Sequence, residues 1–387
     1  MTTNTVELAK RLIAIPSFVS DAQNEADAVN FLAAYARRKL PNFTVQLSPM
    51  RGDETRKNIY LLGAKTPRLI FVGHIDTVCP SDGWKTDPFV PTIIDTKLYG
   101  LGAADMKGSI ASLLIALQSV DRKLLDEIAV LLYVDEEYRF AGMKQLIDDG
   151  VITRDTQPEL VISLDGGLQV LSGCRGLIKI DMEIVGKSGH ASNPANGVNA
   201  ITNLMDVLNV LKGKLPTFAS GLGTSTLNVA YLRGGAVSDT NNPINLQRAG
   251  NVIPNYAESI IELRTASPEL NAQCAETIIR AECTARNLVL KSFNTKIDLG
   301  VWPGSFTDSM TKFVERCYQK AGIKYAKADP QYIGFIDVQM LAATIDSPTY
   351  VIGAGGENRH GANENVALQD LECAREMYQT IITELLR

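Results

Sequence analysis

Two short apolar runs, residues 68–72 and 128–134, flank a helical stretch over 107–120, and this strand, helix, strand succession constrains the fold more than any other feature. A strand that is apolar at nearly every position, not at alternate ones, is covered by helices on both faces. A helical crossover joins parallel neighbours and is right-handed, so the chain predicts an α/β fold with a mostly parallel central sheet. In such sheets the functional loops lie at the carboxyl ends of the strands. A further run over 58–62 adds to the sheet, and three-to-four apolar spacing predicts helices over 6–15 and 24–40.

From about Leu177 the pattern changes. Residues 177–185 alternate as a half-buried strand does, 194–211 reads as a helix, 225–232 and 257–263 as strands, and 272–286 as a second helix. The α/β style then resumes with a helix over 308–321, a strand over 349–352 and a closing helix over 368–386. A chain of 387 residues exceeds the usual single domain. The expected organisation is a discontinuous domain, 1–176 with 293–387, and an inserted α+β domain, 177–292.

Charge and cysteines narrow the function. A net charge of −5 lacks the clustered Lys and Arg that neutralise phosphates, which argues against a nucleic-acid partner and for a small-molecule substrate. The six cysteines are far apart and form no C-x-x-C pair, so neither a disulfide framework nor a thiolate metal site is indicated. Residues 1–16 lack the pattern of a secretory signal, and no uncharged apolar run approaches membrane-spanning length, so a cytoplasmic location without a membrane partner is expected.

Three histidines are present, His74, His190 and His360, all in glycine-flanked polar segments. His74 follows the apolar run 69–72 and precedes Asp76 by two residues. A metal-bound histidine usually gives its second ring N–H to a carboxylate, and Asp76 is placed for that; a loop histidine held by its aspartate is the alternative on these residues alone. Asp105 lies in Tyr99-Gly100-Leu101-Gly102-Ala103-Ala104-Asp105, just ahead of a helix. The glycines faintly match a dinucleotide fingerprint, but Asp105 puts a negative charge where a diphosphate would lie. A metal ligand and a helix N-cap remain open for it.

Asp135-Glu136-Glu137 ends the run 128–134. Three consecutive acids at a buried strand exit repel one another unless a cation is near, and in an extended chain Glu136 and Glu137 point to different sides, one toward a metal and one toward a water. As a solvated loop, such a triplet is also common. Asp165 again follows an apolar run, and His360 follows the strand 349–352. Imidazole and oxygen donors without thiolate suit zinc, manganese or cobalt, and a bridging carboxylate would hold two such ions roughly 3.5–4 Å apart over a shared water.

The segments G-H-I-D-T-V, W-K-T-D-P-F (84–89), Y-G-L-G-A-A-D-M-K-G, D-E-E, G-K-S-G-H-A-S (186–192) and H-G-A-N-E-N-V (360–366), in this order, resemble the metallohydrolase family of acetylornithine deacetylase, succinyl-diaminopimelate desuccinylase, aminoacylase and carboxypeptidase G. The resemblance spans nearly the whole chain. It implies a zinc-exopeptidase-like catalytic domain with an inserted lid and dimerisation domain, and two zinc ions per subunit, one held by His74, Asp105 and Asp165 and the other by Asp105, Glu137 and His360. It further implies that Glu136 is the proton shuttle, that Asp76 supports His74, and that His190 reaches the partner subunit's site in a homodimer. Asn251 and Arg264 match substrate-contacting positions, Arg264 as a clamp on a carboxylate.

Three departures bear on the substrate. Arg139 replaces a glycine common after the glutamate pair. Gly334-Phe335-Ile336-Asp337 stands where many acyl-amino-acid hydrolases carry a small hydroxyl residue before the aspartate. Asp165 is aspartate, as in the family's short-peptide peptidases, where deacylases more often have glutamate. Removal of an acyl group from an N-acyl amino acid and cleavage of a di- or tripeptide therefore both stand as expectations.

Overall fold

The computed structural model describes residues 4–243, 245–247, 250–304 and 307–387. The chain divides into two compact units, Met1–Ser172 with Gly304–Ala328 and Ile336–Arg387, and Gly173–Pro303 with Asp329–Phe335.

The first unit is built on a six-stranded sheet in the order Thr44–Met50, Asp53–Leu62, Ile128–Tyr133, Leu69–His74, Leu160–Ser163, Thr349–Val351. The last four run parallel and the first two join antiparallel. Leu69–His74 and Ile128–Tyr133 are buried at every residue. The helix Gly108–Ser119 between them in sequence is buried on nearly all sides, as its apolar content requires, whereas Thr5–Ile13 and Ala26–Lys39 bury only one face. Asn4 caps the first of these by accepting from the Glu7 N–H at 2.8 Å. The mostly parallel α/β fold expected from the sequence is present. The run at 58–62, however, belongs to an antiparallel strand that begins at Asp53, and the edge strand Thr44–Met50 has no apolar run to announce it.

The second unit is a four-stranded antiparallel sheet ordered Val289–Leu299, Gly176–Val185, Tyr256–Thr265, Thr226–Gly235. Ile178, Ile180, Met182 and Ile184 from one central strand and Ala257, Ile261 and Leu263 from the other form a core with the helices Ala200–Lys214 and Ala272–Ala285. The helix expected from 194 starts at Ala200. Asn199 accepts from the N–H groups of Ile201 and Thr202, and Pro194–Asn196 forms only a short 3-10 turn. Among the described residues no helix is long and apolar enough to cross a membrane.

Candidate metal centre

His74, Asp105, Glu136, Glu137, Asp165 and His360 all belong to the first unit, and the fold brings them together, Asp105 from the turn ahead of the helix Gly108–Ser119 and the others from strand ends or the segments that follow strands. Three overlapping groups each offer ligand atoms within 4.8 Å of one another: His74 with Asp105 and Asp165, His74 with Glu136 and Glu137, and Asp105 with Glu137 and His360.

His74 is the last residue of its strand and is 1% exposed. Its Nδ1 lies 3.1 Å from the Asp76 carbonyl oxygen and 3.6 Å from Asp76 Oδ1, and its Nε2 lies 3.1 Å from Asp105 Oδ1. Asp76 is fully buried, and its Oδ2 accepts the Glu137 N–H at 2.9 Å, tying one strand end to its neighbour. Asp105 reaches His360 Nε2 through its other oxygen, at 3.3 Å, and His360 Nε2 also lies 3.1 Å from Glu137 Oε2. One carboxylate thus stands between two imidazoles.

The loop presenting Asp105 is shaped by Gly102, whose φ of 82° lies in the left-handed region. Lys107 N donates to Gly102 O at 2.8 Å, and the Asp105–Met106 peptide is cis. Glu364, 1% exposed, accepts three backbone N–H groups of this loop, from Gly102, Ala104 and Asp105. At the acidic strand exit, Gly142 packs so closely that a Cβ would meet Val134 O at 1.9 Å.

The electrostatics describe a cluster short of positive charge. Burial lifts the Glu136 carboxyl well above its ordinary range, and the neighbouring Asp337 charge adds to this. Burial likewise raises Glu137, against the pull of His360, and raises Asp165, with the Asp105 charge adding. Asp105 moves the other way: burial opposes its ionisation, but hydrogen bonds from His360 and His74 hold it well below the usual carboxylate range. His360 is pushed up to about 10 by its bonds to Asp105 and Glu137. For His74, burial disfavours the cation, yet Asp105 and Asp76 outweigh it and raise the pKa well above normal. Carboxylates that resist ionising and imidazoles that hold protons are what a set of cation ligands shows when only protons balance its charge. The donor set, oxygen and imidazole with no thiolate, fits a pair of hard or borderline divalent ions.

Several residues around the cluster were not read from the sequence as partners of the site. Arg359 donates Nη1 to Asp165 Oδ1 at 3.3 Å and Nη2 to the Gly166 carbonyl at 2.9 Å. Asp337 is fully buried, accepts the Tyr133 hydroxyl at 2.6 Å, and is raised to about 7 by burial. Glu364 lies inside the H-G-A-N-E-N-V segment, and Asp337 closes Gly334-Phe335-Ile336-Asp337, so both were visible as motif positions but not as partners.

His190, Asn251 and Arg264 belong to the second unit. His190 and Val252 form an isolated bridge, and Ala191 N donates to Asn251 O at 2.9 Å, so the histidine and the asparagine share one locale. Both are exposed. His190 Nδ1 accepts the Ser192 N–H at 3.2 Å and lies 2.7 Å from Ser192 Oγ, which places the proton of the neutral ring on Nε2. Arg264 is engaged by Glu262 of its own strand, at 3.0 Å from Nε and 2.9 Å from Nη2.

An α/β unit whose strand ends gather histidines and carboxylates into ligand-spaced groups, with a separate α+β unit in the same chain, has the build of a metal-dependent hydrolase. Residues 70–384 match the model of peptidase family M20/M25/M40, and the chain belongs to that family. The acetylornithine deacetylase of Erwinia tasmaniensis is 34% identical over 247 residues, a match spanning 60% of this chain and 63% of that relative. Among solved structures, aminopeptidase PepT of Bacillus cereus superposes with a TM-score of 0.77 at 20% identity, covering 99% of this chain and 98% of that one. The YXEP protein of Bacillus subtilis, a dinuclear metal binding peptidase, gives 0.71 at 13% identity, covering 99% and 97%.

Proposed function

We propose that this protein hydrolyses the amide bond of a small N-acyl amino acid. His74, Asp105 and Asp165 would hold one divalent ion and Asp105, Glu137 and His360 a second, with zinc preferred and cobalt or manganese as substitutes. The position of Asp105 carries the reading, because its two oxygens lie 3.1 Å and 3.3 Å from the two histidines and it belongs to two of the ligand-spaced groups. Bound there, the ions would supply Lewis acidity toward the amide carbonyl and lower the pKa of a bound water.

Glu136 is the general base. Its raised pKa suits a carboxyl that takes a proton from the attacking water and returns it to the leaving nitrogen. Asp76 orients His74, and His190, in a homodimer, reaches the partner subunit's site and offers Nε2–H to the oxyanion that develops on the substrate there. Asn251 and Arg264 bind the substrate's polar end, for which Arg264 exchanges its contact with Glu262 for a carboxylate of the substrate.

The segment 177–292 is read as lid and dimerisation domain beside a catalytic domain of 1–176 and 293–387. Supporting a homodimer, the strand Thr226–Gly235 lies at a sheet edge and leaves Val229, Tyr231 and Leu232 about two-fifths exposed, at 43%, 41% and 37%. Six cysteines, none in a disulfide, suit the reducing cytoplasm.

The partial likeness to an acetylornithine deacetylase supports the deacylase assignment. One observation favours a second reading, a di- or tripeptidase: the ligand at 165 is an aspartate, as in the family's short-peptide enzymes. Metal analysis together with turnover of N-acetyl amino acids, N-succinyl amino acids and dipeptides tests both. Cleavage of dipeptides alone selects the second reading, and turnover of none of the three by the zinc-loaded protein refutes both.

A further inference from the structure

An ion network is buried directly behind the acidic strand exit. Arg56, 8% exposed, donates Nε to Glu25 Oε2 at 2.8 Å and Nη2 to both Glu25 Oε1 and Asp135 Oδ1, the latter at 2.7 Å. Glu25 and Asp135 are almost wholly buried. The backbone ladder between Asp53–Leu62 and Ile128–Tyr133 runs from Leu62↔Ala129 to Ile59↔Leu132. Side chains continue it past that point: Asn58 Oδ1 accepts the Val134 N–H at 3.1 Å, and Arg56 takes the Asp135 carboxylate.

Asp135 is consequently held at every polar atom. Its N–H donates to Glu25 Oε1 at 3.2 Å, its carbonyl accepts from Phe140 N at 2.8 Å, Oδ1 takes Arg56, and Oδ2 accepts from Ala141 N at 3.3 Å. Its φ of 67° lies where a residue with a Cβ rarely sits unless its surroundings impose it. On the other side, Glu137 is fixed through its N–H to Asp76. Glu136 therefore stands between two anchored residues. Two carboxylates sharing one guanidinium contribute little stability, since packed apolar replacements of buried ion groups are often neutral or stabilising. Their placement accounts for geometry better than for stability.

We propose that Arg56, together with Glu25, is a positioning residue for Glu136, acting through Asp135 to fix the direction of the carboxylate that takes the proton. This rests on the reading of Glu136 as general base.

The test compares metal-loaded wild type with Arg56→Lys, with a triple variant (Arg56→Met, Glu25→Gln, Asp135→Asn) that removes the charges together, and with Glu136→Gln. Metal equivalents, kcat and KM on an amide turned over by wild type, and amide exchange over residues 134–141 are measured for each. The triple variant is expected to keep its metal and its KM while kcat falls about a hundred-fold, the scale of misplacing a reacting group by an ångström. Exchange should quicken over 134–141 and stay unchanged over 69–74. Arg56→Lys, with the charge but not the fork, should fall between wild type and triple variant. An unchanged kcat in the folded triple variant overturns the proposal, as does a kcat that falls only in proportion to metal lost. Should the triple variant not fold, Arg56→Lys decides, and a wild-type kcat there overturns it. A fully active Glu136→Gln sinks the general-base reading itself, whereas an inactive Glu136→Gln beside an unimpaired triple variant removes only the positioning role.

Discussion

Replacing Asp105 by alanine tests the shared carboxylate most directly. Its oxygens lie 3.1 Å from His74 Nε2 and 3.3 Å from His360 Nε2, so Asp105→Ala withdraws a donor from both three-ligand groups that contain it. His360→Ala withdraws a donor from one of these two groups, and Asp165→Ala from the other. An ion present at a hundred times its Kd stabilises the folded state by about 2.7 kcal/mol, so two ions give about 5.4 kcal/mol. Urea unfolding of each protein with and without saturating zinc reads this difference, and comparing within one variant cancels its own change in metal-free stability. Wild type should gain about 5.4 kcal/mol, His360→Ala and Asp165→Ala about half of that, and Asp105→Ala close to none. Elemental analysis should follow the same order. An Asp105→Ala protein that keeps both ions, or a His360→Ala protein that loses both, would refute the arrangement.

Glu136→Gln should lower kcat by roughly 10²–10⁴ while metal content stays at the wild-type level, as expected for loss of a general base. His190→Ala should reduce turnover without changing metal content, and equal activity would remove the histidine from catalysis. Burial pushes the thiols of Cys317 up to about 12 and Cys283 up to about 11, whereas Cys79 is exposed. A thiol reagent at pH 8 should label Cys79 in the folded protein and the other two only after unfolding. Because these folded-state values exceed the unfolded value of about 8.5, the folded chain keeps protons that the unfolded chain releases. Their contribution to stability is complete below about 8.5 and is lost as the pH rises through 11 and 12, which alkaline unfolding curves of Cys317→Ser would show by a flattened decline. Leu131→Ala, in the middle of a strand buried at every residue, should cost about 2–5 kcal/mol in urea unfolding.

The buried strands were legible in the sequence because helices on both faces require apolar side chains at every position, and Leu69–His74 and Ile128–Tyr133 carry them. Val289–Leu299 was not read as a strand. It is an edge strand with two bulges and with Lys291 and Lys296 along it, so it shows no clean alternation. The short helix Val338–Thr344 and the three-residue strands Thr92–Ile94, Lys97–Tyr99 and Asn365–Ala367 are too brief to show a period. At the candidate site, residues that end strands announced themselves by placing charge after an apolar run. Arg56, Glu25 and Glu364 did not, since their meaning lies in contacts across 31 to 262 residues of chain. Arg264 was read as a clamp on a substrate carboxylate, and its hold on Glu262, two residues away, followed from no pattern.

The strand Thr226–Gly235 carries a consequence of its own. Over ten residues its single charged side chain is Arg233, and among the described residues it has a strand neighbour on one side only. Natural sheets usually guard such borders with lysines, prolines or very short strands, because open N–H and C=O groups recruit whatever extended chain arrives first. For the homodimer proposed above, variants made to split the two subunits should accordingly turn up in the pellet, and a low yield of soluble protein, not a tidy half-mass species, would be the mark of a subunit left without its mate.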